Sequence, residues 1–474
     1  MRVWCVSHKD RAMLMFRALA AVLTAATVLA VPASASAGPP PIDWQPCRTS
    51  APPGAECAFL DLPVDWSRPD GETFRFAIAR RAADPATRVG TLIFGPGGPG
   101  DSGTKRIMTG SKRFSEELQR RFDIVSFDPR GVGGSAPVRC DLPAVTDPVI
   151  DGPAAFAERI ATNRAYWASC RTDPPSLISH AGTADTVRDL DALRAALGER
   201  QVTFHGSSYG TLLGELYAER YPSHVRALVL ESAMDHSQDV GGFLRTQGWA
   251  LQDSFDAFVT WCEQAGDACA VHDPGARQVW HELVRDAGRG GTGLSVWQLH
   301  ALLHALLYGP KYTDLAAALA DLRDGEPVLP VAVPTPVVPV FCADWSLTVR
   351  DYDEYARLVR RAETRDLRYS AGALAVALCL GWEQPVTSPQ HRLRVHTPVP
   401  VLQINARHDP ATGYNWALSV ARQLGRSGVL LTYAGAGHGS YGSSDCMRTA
   451  VDAYLIGLTV PREGGVCPVT VPAG

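Results

Sequence analysis

Short apolar runs and helical periods alternate along the first half of the chain, and this pattern predicts an α/β protein. The apolar runs are typical of buried strands, and a segment with apolar positions every three or four residues is typical of a helix. The predicted strands are Cys57–Leu62, Phe74–Ala79, Thr91–Phe94, Phe122–Phe127, Gln201–His205 and Arg226–Leu230. The predicted helices are Thr183–Leu197 and a second one from Tyr209 to Pro222. Alternation of this kind indicates a mostly parallel sheet with helices on both faces.

The alternation stops after the sixth predicted strand. Residues 236–394 are mostly helical in pattern, apart from Pro327–Val340, whose five prolines are incompatible with a regular helix or a central strand. Strand-like runs resume at Val399–Ile404 and Val429–Tyr433, and a last helix is predicted near Met447–Leu458. We therefore interpret residues 38–235 and 395–474 as the two parts of one α/β core. Residues 236–394 would be a mainly helical cap inserted between them.

The first 37 residues have the pattern of a secretory signal peptide. Four basic residues precede the apolar run Ala18–Val31, and Ala35-Ser36-Ala37 resembles a cleavage site. The run has fourteen residues, fewer than the roughly 20 that span a bilayer. We expect a secreted protein that begins at Gly38 and has no membrane anchor after the signal peptide is removed.

The number of cysteines agrees with export. Of eleven cysteines Cys5 lies in the signal peptide, and the remaining ten are an even number, as in disulfide-bonded extracellular proteins. We expect neighbours along the chain to pair, because short loops are the easiest to close, although the sequence does not fix the connectivity. The candidate pairs are Cys47/Cys57, Cys140/Cys170, Cys262/Cys269, Cys342/Cys379 and Cys446/Cys467.

Composition narrows the possible partners. With 46% hydrophobic and 20% charged residues the chain can bury a large core, so disorder is not expected. The net charge is −4 and no basic cluster follows the N-terminal segment, which argues against a nucleic-acid partner. No Cys/His group has the spacing of a zinc site, and we predict no metal. Composition does not predict the oligomeric state.

One pentapeptide, Gly206-Ser207-Ser208-Tyr209-Gly210, matches the G-x-S-x-G turn that presents a nucleophilic serine. It lies between a predicted strand and a predicted helix, as that motif requires, which makes Ser208 the candidate nucleophile. Gly210, Gly214 and Ala218 recur every four residues and give the helix a small face for close packing on the sheet. The alternative is a serine-rich turn without chemistry.

A serine nucleophile needs a base, and the base needs an acid to orient it. In this class of fold the order along the chain is serine, acid, histidine. Asp409 follows the predicted strand Val399–Ile404, and His438 lies on a glycine-flanked loop after the next strand. We predict that His438 is the general base towards Ser208 and that Asp409 orients it, with Asp235 as the main alternative acid.

Other histidines fit the role of base less well. His408 precedes the loop where the base is expected, and His205 is predicted to pack beneath the serine turn. His300 and His304 share a helix face without a third ligand nearby in sequence, so packing within the cap is the simpler interpretation.

The run Gly95-Pro96-Gly97-Gly98-Pro99-Gly100 follows a predicted strand and matches the dinucleotide-binding pattern G-x-G-x-x-G. Its two prolines remove amides that would hold a pyrophosphate, and no acidic residue ends a second strand at the required distance. We therefore predict no dinucleotide and no other cofactor. An oxyanion hole fits better, formed by the amides of Tyr209 and Gly98, with Gly97 as the alternative.

Several motifs together resemble one family, the secreted tripeptidyl aminopeptidases of Streptomyces, which group with the prolyl aminopeptidases among the α/β-hydrolase serine exopeptidases. The resemblance extends from Trp44 to Cys467. The motifs that carry it are Phe94–Gly103, Asp128–Gly131, Gly206–Thr211, Cys342–Asp344, Cys379–Trp382 and the pair Asp409/His438. It implies an α/β-hydrolase fold, a triad of Ser208, Asp409 and His438, and metal-free release of short peptides from free N-termini.

The expected substrates are peptides, and tripeptides are the expected products. An aminopeptidase needs a carboxylate for the ammonium group of its substrate, and Asp344, Glu231 and Glu383 are candidates, although each fits an ordinary structural acid as well. The main hypothesis is thus a secreted serine aminopeptidase of tripeptidyl or prolyl type. A secreted carboxylesterase or lipase of the same fold is the alternative. A third hypothesis, a binding protein without catalysis, does not explain a strained serine turn.

Overall fold

The strands and helices lie close to where the sequence predicts them. The computed structural model describes residues 42–50, 52–110, 113–331 and 337–469, so the predicted signal peptide lies outside the described residues. The strands are β1 Gln45–Pro46, β2 Ala55–Pro63, β3 Thr73–Arg81, β4 Gly90–Gly95, β5 Phe122–Phe127, β6 Arg139–Cys140, β7 Cys170–Arg171, β8 Val202–Ser207, β9 Val225–Glu231, β10 Val401–His408, β11 Gly428–Ala436 and β12 Val466–Cys467. The helices are α1 Gly103–Met108, α2 Glu116–Arg121, α3 Pro153–Ala168, α4 Thr183–Ala196, α5 Gly210–Arg220, α6 Val240–Ala265, α7 Ala276–Ala287, α8 Val296–Tyr308, α9 Tyr312–Arg323, α10 Val338–Asp344, α11 Tyr352–Ala362, α12 Ala371–Cys379, α13 Tyr414–Leu424 and α14 Asp445–Gly457.

All eight predicted strands are confirmed, as are the predicted helices α4, α5 and α14. The sequence analysis missed the two-residue strands, which are too short to show a period, and the helices α1, α2, α3 and α13. Only Phe156 and Asn163 of α3 are buried, so this helix has no apolar stripe that could reveal it.

Ten strands form one sheet in the order β1-β2-β3-β5-β4-β8-β9-β10-β11-β12. The pairs from β5 to β12 are parallel, whereas β1, β2, β3 and β5 pair antiparallel. The link between β2 and β3 is too short for the crossover of a dozen or more residues that a parallel pair requires. The predicted, mostly parallel sheet is confirmed, with an antiparallel extension at one edge.

Helices cover both faces of the sheet, because successive residues of a buried strand point to opposite sides. In β4, Ile93 packs in the hydrophobic cluster to which α4, α5 and α13 contribute. Its neighbours Leu92 and Phe94 pack in the cluster to which α1, α2 and α14 contribute. Burial on both sides explains why the strands appear in the sequence as nearly continuous apolar runs.

Seven helices, α6 to α12, and no strand occupy the described residues between β9 and β10. The proline-rich passage Pro327–Val340 was predicted to exclude a helix, yet its last three described residues begin α10. Pro339 lies in the first turn of α10, where a proline loses no intrahelical hydrogen bond. The passage therefore leads into a helix rather than only interrupting the cap.

Five disulfides each join a cysteine to the next one along the chain: Cys47–Cys57, Cys140–Cys170, Cys262–Cys269, Cys342–Cys379 and Cys446–Cys467. This is the pairing expected from loop length. Among the described residues, we find no helix with the length and hydrophobicity needed to cross a membrane.

Candidate active site

Ser208 lies in a sharp turn between β8 and α5. Its φ is +56°, in the left-handed region that a serine adopts only with strain. Two glycines allow the chain to turn here: a Cβ on Gly210 would lie 2.3 Å from the carbonyl oxygen of Gly95, and one on Gly206 would lie 2.4 Å from that of Gly210. The half-buried Ser208 therefore lines a cavity at the carboxyl end of the sheet.

Asp409 and His438 are in direct contact. The Nδ1 atom of His438 lies 3.0 Å from each carboxylate oxygen of Asp409. Asp409 is buried directly after β10 and also accepts hydrogen bonds from the amides of Ala411 and Thr412, both at 2.9 Å, and from the Thr412 hydroxyl at 3.0 Å. A histidine that donates its Nδ1 proton to a carboxylate presents Nε2 as an acceptor.

The Nε2 atom of His438 is buried and has no hydrogen-bond partner among the described residues, Ser208 included. In a ligand-free site the hydrogen bond between a base and its nucleophile is often long and tightens only around substrate. The geometry therefore shows an imidazole with an unused Nε2 atom and a carboxylate in contact with its Nδ1 atom.

Five successive backbone amides hold the loop that carries His438. Gly437 and Gly439, which flank it, have φ values of +103° and +97°, conformations that favour glycine. The amides and their acceptors are Gly437 to the His408 carbonyl at 3.0 Å, His438 to the Tyr308 carbonyl at 2.8 Å, Gly439 to the Ser232 hydroxyl at 2.9 Å, and Ser440 and Tyr441 to Oε1 of Glu231 at 2.8 Å each. The position of the imidazole is thus set by β9, β10 and the end of α8.

The end of β9 connects this loop with the serine turn. The amide of Ser208 donates to the carbonyl oxygen of Glu231 at 2.9 Å, while the side chains of Glu231 and Ser232 hold the His438 loop. The structure therefore brings Ser208, Asp409 and His438 to one edge of the parallel sheet, where open α/β sheets bind their ligands.

Glu231 is 2% exposed, and the protein itself uses both of its carboxylate oxygens. Oε2 pairs with Arg113 and accepts from Nε2 of His205 at 3.0 Å. Burial opposes the charge, but Arg113 and His205 together hold the pKa of Glu231 well below its usual range. The sequence analysis had considered this residue as a site for the substrate ammonium, and its contacts instead assign it to the support of the His438 loop.

The other two candidate anchors also lie away from the cavity lining. Asp344 is buried and accepts hydrogen bonds from the amide and hydroxyl of Thr183 and from the hydroxyl of Tyr209 at 2.6 Å. Burial raises the pKa of Asp344 to about 6. Glu383 is 64% exposed and pairs with Arg164 on the surface.

The Gly95–Gly100 loop lies against the serine. A Cβ on Gly97 would lie 3.2 Å from the Cβ of Ser208 and 3.7 Å from its hydroxyl oxygen. The amides of Gly98 and Tyr209 donate no hydrogen bond to another described residue. Two unused amides next to a serine hydroxyl have the chemistry of an oxyanion hole.

The cavity at Ser208 has a volume of about 650 Å³ and lies between the sheet edge and the helices α6, α8, α10 and α12. Its wall is built mainly from apolar side chains: Met234, Phe243, Val337, Phe341, Leu374, Leu378 and Trp416. Asp101 supplies the one carboxylate among the described lining residues. The cavity therefore suits a ligand with apolar side chains and one end that a carboxylate can bind.

The alternative assignments have other partners. Asp235 accepts from Ser237, Gln238 and Gln423, and His408 pairs with Asp253 at 2.9 Å. His205 is buried beneath the serine turn, as its place in the sequence had indicated.

Two residues of the site escaped the sequence analysis. The ring of Tyr308 packs against that of His438, with centroids 4.5 Å apart and planes tilted by 43°, and nothing in the spacing of α8 reveals this contact. Thr412 caps Asp409 through its amide and hydroxyl. An acid followed three residues later by threonine is a local turn signal that could have identified Thr412.

Comparison with known proteins identifies the family of this chain. Residues 90–277 match the family described as the α/β hydrolase fold, and residues 369–467 match the one described as TAP-like protein. The chain is 32% identical over 477 residues to the serine protease Hip1 of Mycobacterium tuberculosis, covering 90% of this chain and 91% of that protein. The chain belongs to the TAP-like α/β hydrolases. Because its family is that of the α/β hydrolases and its relatives include a serine protease, the chain is a serine hydrolase.

Two further relatives differ in their named activities. The tripeptidyl aminopeptidase of Streptomyces lividans is 28% identical over 482 residues, covering 93% of this chain and 89% of that protein. Carboxylesterase B of Mycobacterium tuberculosis is 30% identical over 484 residues, covering 90% of each chain. The expected resemblance to the tripeptidyl aminopeptidases is confirmed, and the chain is also similar to a protein named as an esterase.

Proposed function

We propose that this protein is a secreted serine exopeptidase that removes short peptides, tripeptides in particular, from free N-termini. The observation that carries the proposal is the oriented His438–Asp409 pair, with an unused Nε2, on the same sheet edge as the strained Ser208. The signal-like N-terminus and the five disulfides support secretion.

In the proposed mechanism the Ser208 hydroxyl attacks the scissile carbonyl carbon while Nε2 of His438 takes the hydroxyl proton. The amides of Gly98 and Tyr209 stabilise the oxyanion of the tetrahedral intermediate. His438 then gives its proton to the leaving amine, the C–N bond breaks, and an acyl-enzyme remains on Ser208. Water attacks the acyl carbon while Nε2 of His438 takes a proton from it. The bond between that carbon and the Ser208 oxygen then breaks, His438 returns the proton to this oxygen, and the peptide leaves with a free carboxylate. Asp409 stabilises the imidazolium in both halves.

We assign residues 236–394 to a cap that limits the size of the substrate. The helices of this segment support this, because four of them, α6, α8, α10 and α12, contribute residues to the cavity lining. The second candidate is a carboxylesterase, favoured by the relationship to carboxylesterase B. An ester leaving group needs little protonation. An esterase also has no ammonium group to bind, and it would therefore not depend on a free N-terminus.

Hydrolysis of a tripeptide p-nitroanilide, with a free and with an acetylated N-terminus, separates the two candidates when compared with p-nitrophenyl acyl esters. We expect cleavage of the free peptide and strong discrimination against the acetylated one. Ester hydrolysis without peptide hydrolysis would refute the exopeptidase. Ser208→Ala should lower kcat by roughly 10⁴-fold or more, and full activity in this variant would refute the mechanism.

A further inference from the structure

We propose that Asp101 binds the α-ammonium group of the substrate and thereby makes the enzyme an exopeptidase. This inference rests on the proposed peptidase function and adds to it the group that recognises a free N-terminus. Asp101 follows the Gly95–Gly100 loop and precedes α1, and it is one of the residues that line the Ser208 cavity.

The first step is the shortage of other carboxylates. Among the described residues that line the cavity, Asp101 alone carries an acid. Asp409 is hydrogen-bonded to His438, Glu231 to two amides, Arg113 and His205, and Asp344 to Thr183 and Tyr209. An unpaired ammonium would be costly to move from water into a cavity with apolar walls, so its partner has to lie in the lining.

The second step is the distance from the nucleophile. The amide of Asp101 donates to the carbonyl oxygen of Gly97 at 3.3 Å, and Gly97 lies against Ser208. One tight turn therefore separates Asp101 and Ser208, and both residues line the same cavity. An extended chain advances about 3.3–3.6 Å per residue, so the nitrogen of a tripeptide lies about 9 Å from its terminal carbonyl carbon. Asp101 is thus within reach of the N-terminus of a short acyl chain.

The third step is that the loop is held in place. The amide of Val337 donates to the carbonyl oxygen of Pro99 at 2.8 Å. Gly100 has a φ of +126°, and a Cβ there would lie 2.8 Å from Cγ2 of Val337. Because the loop is packed between the serine turn and the start of α10, the position of Asp101 acts as a fixed stop for the end of the substrate.

The existing partner of Asp101 leaves room for a ligand. Arg106 donates to Oδ2 of Asp101 at 2.8 Å, and the side chains of Asp101 and Arg106 are 43% and 60% exposed, respectively. A carboxylate offers about four acceptor positions, so Oδ1 can receive an ammonium while Arg106 stays in place. An exposed pair of this kind is also weak enough to rearrange.

The test compares Asp101→Asn with Asp324→Asn on the free and acetylated tripeptide p-nitroanilides. Asp324 is a matched control, since it also forms an exposed 2.8 Å pair with an arginine, Arg323, but does not line the cavity. For Asp101→Asn we expect kcat/KM on the free peptide to fall tenfold to a hundredfold, mainly through KM, with the acetylated peptide changed less than twofold. Asp101→Glu should recover part of the preference, and Asp324→Asn should behave like wild type.

The pH profile gives a second readout. Wild-type kcat/KM on the free peptide should fall as the substrate amine loses its proton near pH 8, and Asp101→Asn should lack this fall. Unchanged preference for the free peptide in Asp101→Asn would overturn the inference, as would an equal loss on both peptides, which would make Asp101 a purely structural loop residue. Wild-type enzyme that cleaves both peptides equally, or only esters, would instead refute the proposed exopeptidase and the inference with it.

Discussion

Glu231→Ala removes the side chain that holds the His438 loop, and we expect it to lower both stability and turnover. Oε1 of Glu231 accepts the amides of Ser440 and Tyr441, and Oε2 pairs with Arg113 and His205. Alanine leaves two amides without an acceptor in a buried environment. It also removes the charge that compensates the guanidinium.

The magnitude follows from these contacts. Each buried amide that loses its acceptor costs about 1–3 kcal/mol, so the pair costs about 2–6 kcal/mol. Removing one partner of a fully buried ion pair costs about 3–5 kcal/mol, but the Arg113 side chain is 35% exposed and can be partly hydrated, which reduces that contribution. We therefore expect Glu231→Ala to lower the free energy of unfolding by about 4 kcal/mol or more. Glu231→Gln keeps the acceptor for both amides and should lose about 1–3 kcal/mol.

Denaturant unfolding with the disulfides intact measures these free energies, and kcat on a cleavable substrate reports the position of His438. We expect Glu231→Ala to lose at least about tenfold in kcat and Glu231→Gln to lose less. The exposed Glu383→Ala is the control and should change stability by less than about 0.5 kcal/mol. If Glu231→Ala unfolded like wild type, or if Glu231→Gln were as damaging as Glu231→Ala, the assignment of Glu231 to the loop would be wrong.

Three further changes have defined outcomes. Gly210→Ala places a Cβ 2.3 Å from the Gly95 carbonyl oxygen and so displaces the oxyanion loop, and kcat/KM should fall at least about 100-fold. Burial lowers the pKa of His304 to about 4. Between pH 6.5 and 4 this histidine therefore binds a proton in the unfolded chain but not in the folded chain. The free energy of unfolding should therefore decrease as the pH is lowered through this window. In unfolding titrations, His304→Leu should reduce the slope of this pH dependence by up to about 1.4 kcal/mol per pH unit. Replacing Cys342 and Cys379 by alanine opens a loop of sequence separation 37 and should cost about 4 kcal/mol in denaturant unfolding.

The glycine and disulfide changes each have a matched control, and the histidine change has an outcome that would contradict it. A Cβ on Gly442 meets no atom within 4 Å, so Gly442→Ala should keep its activity, and equal loss in both glycine variants would contradict the steric argument. An unchanged slope in His304→Leu would show that His304 binds its proton equally in the folded and unfolded states, and would contradict the lowered pKa. Replacing Cys262 and Cys269, with a separation of 7, should cost only about 2 kcal/mol, and an equal cost for both disulfides would contradict the loop-length reasoning.

The sequence alone determined the local features of this protein. Strand, glycine-flanked turn and helix around Ser208 follow from apolar runs and from glycine, which are properties of neighbouring residues. The positions of Asp409 and His438 after two later strands could also be predicted, because parallel strands end at one edge of a sheet. The same holds for the order of the disulfides, where loop length favours neighbours.

Only the tertiary structure decided which carboxylates are bound by other groups of the protein and which one lines the cavity. Glu231 and Asp344 look in the sequence like free carboxylates, but Arg113, Ser440 and Thr183, each more than 100 positions away, take up their oxygens. Asp101 lies within the Phe94–Gly103 motif, but nothing in the sequence marks it as a binding residue, and it becomes a candidate only through its place in the cavity. The role of a carboxylate depends on the charges and donors around it, and the fold, rather than the adjacent residues, brings those groups together.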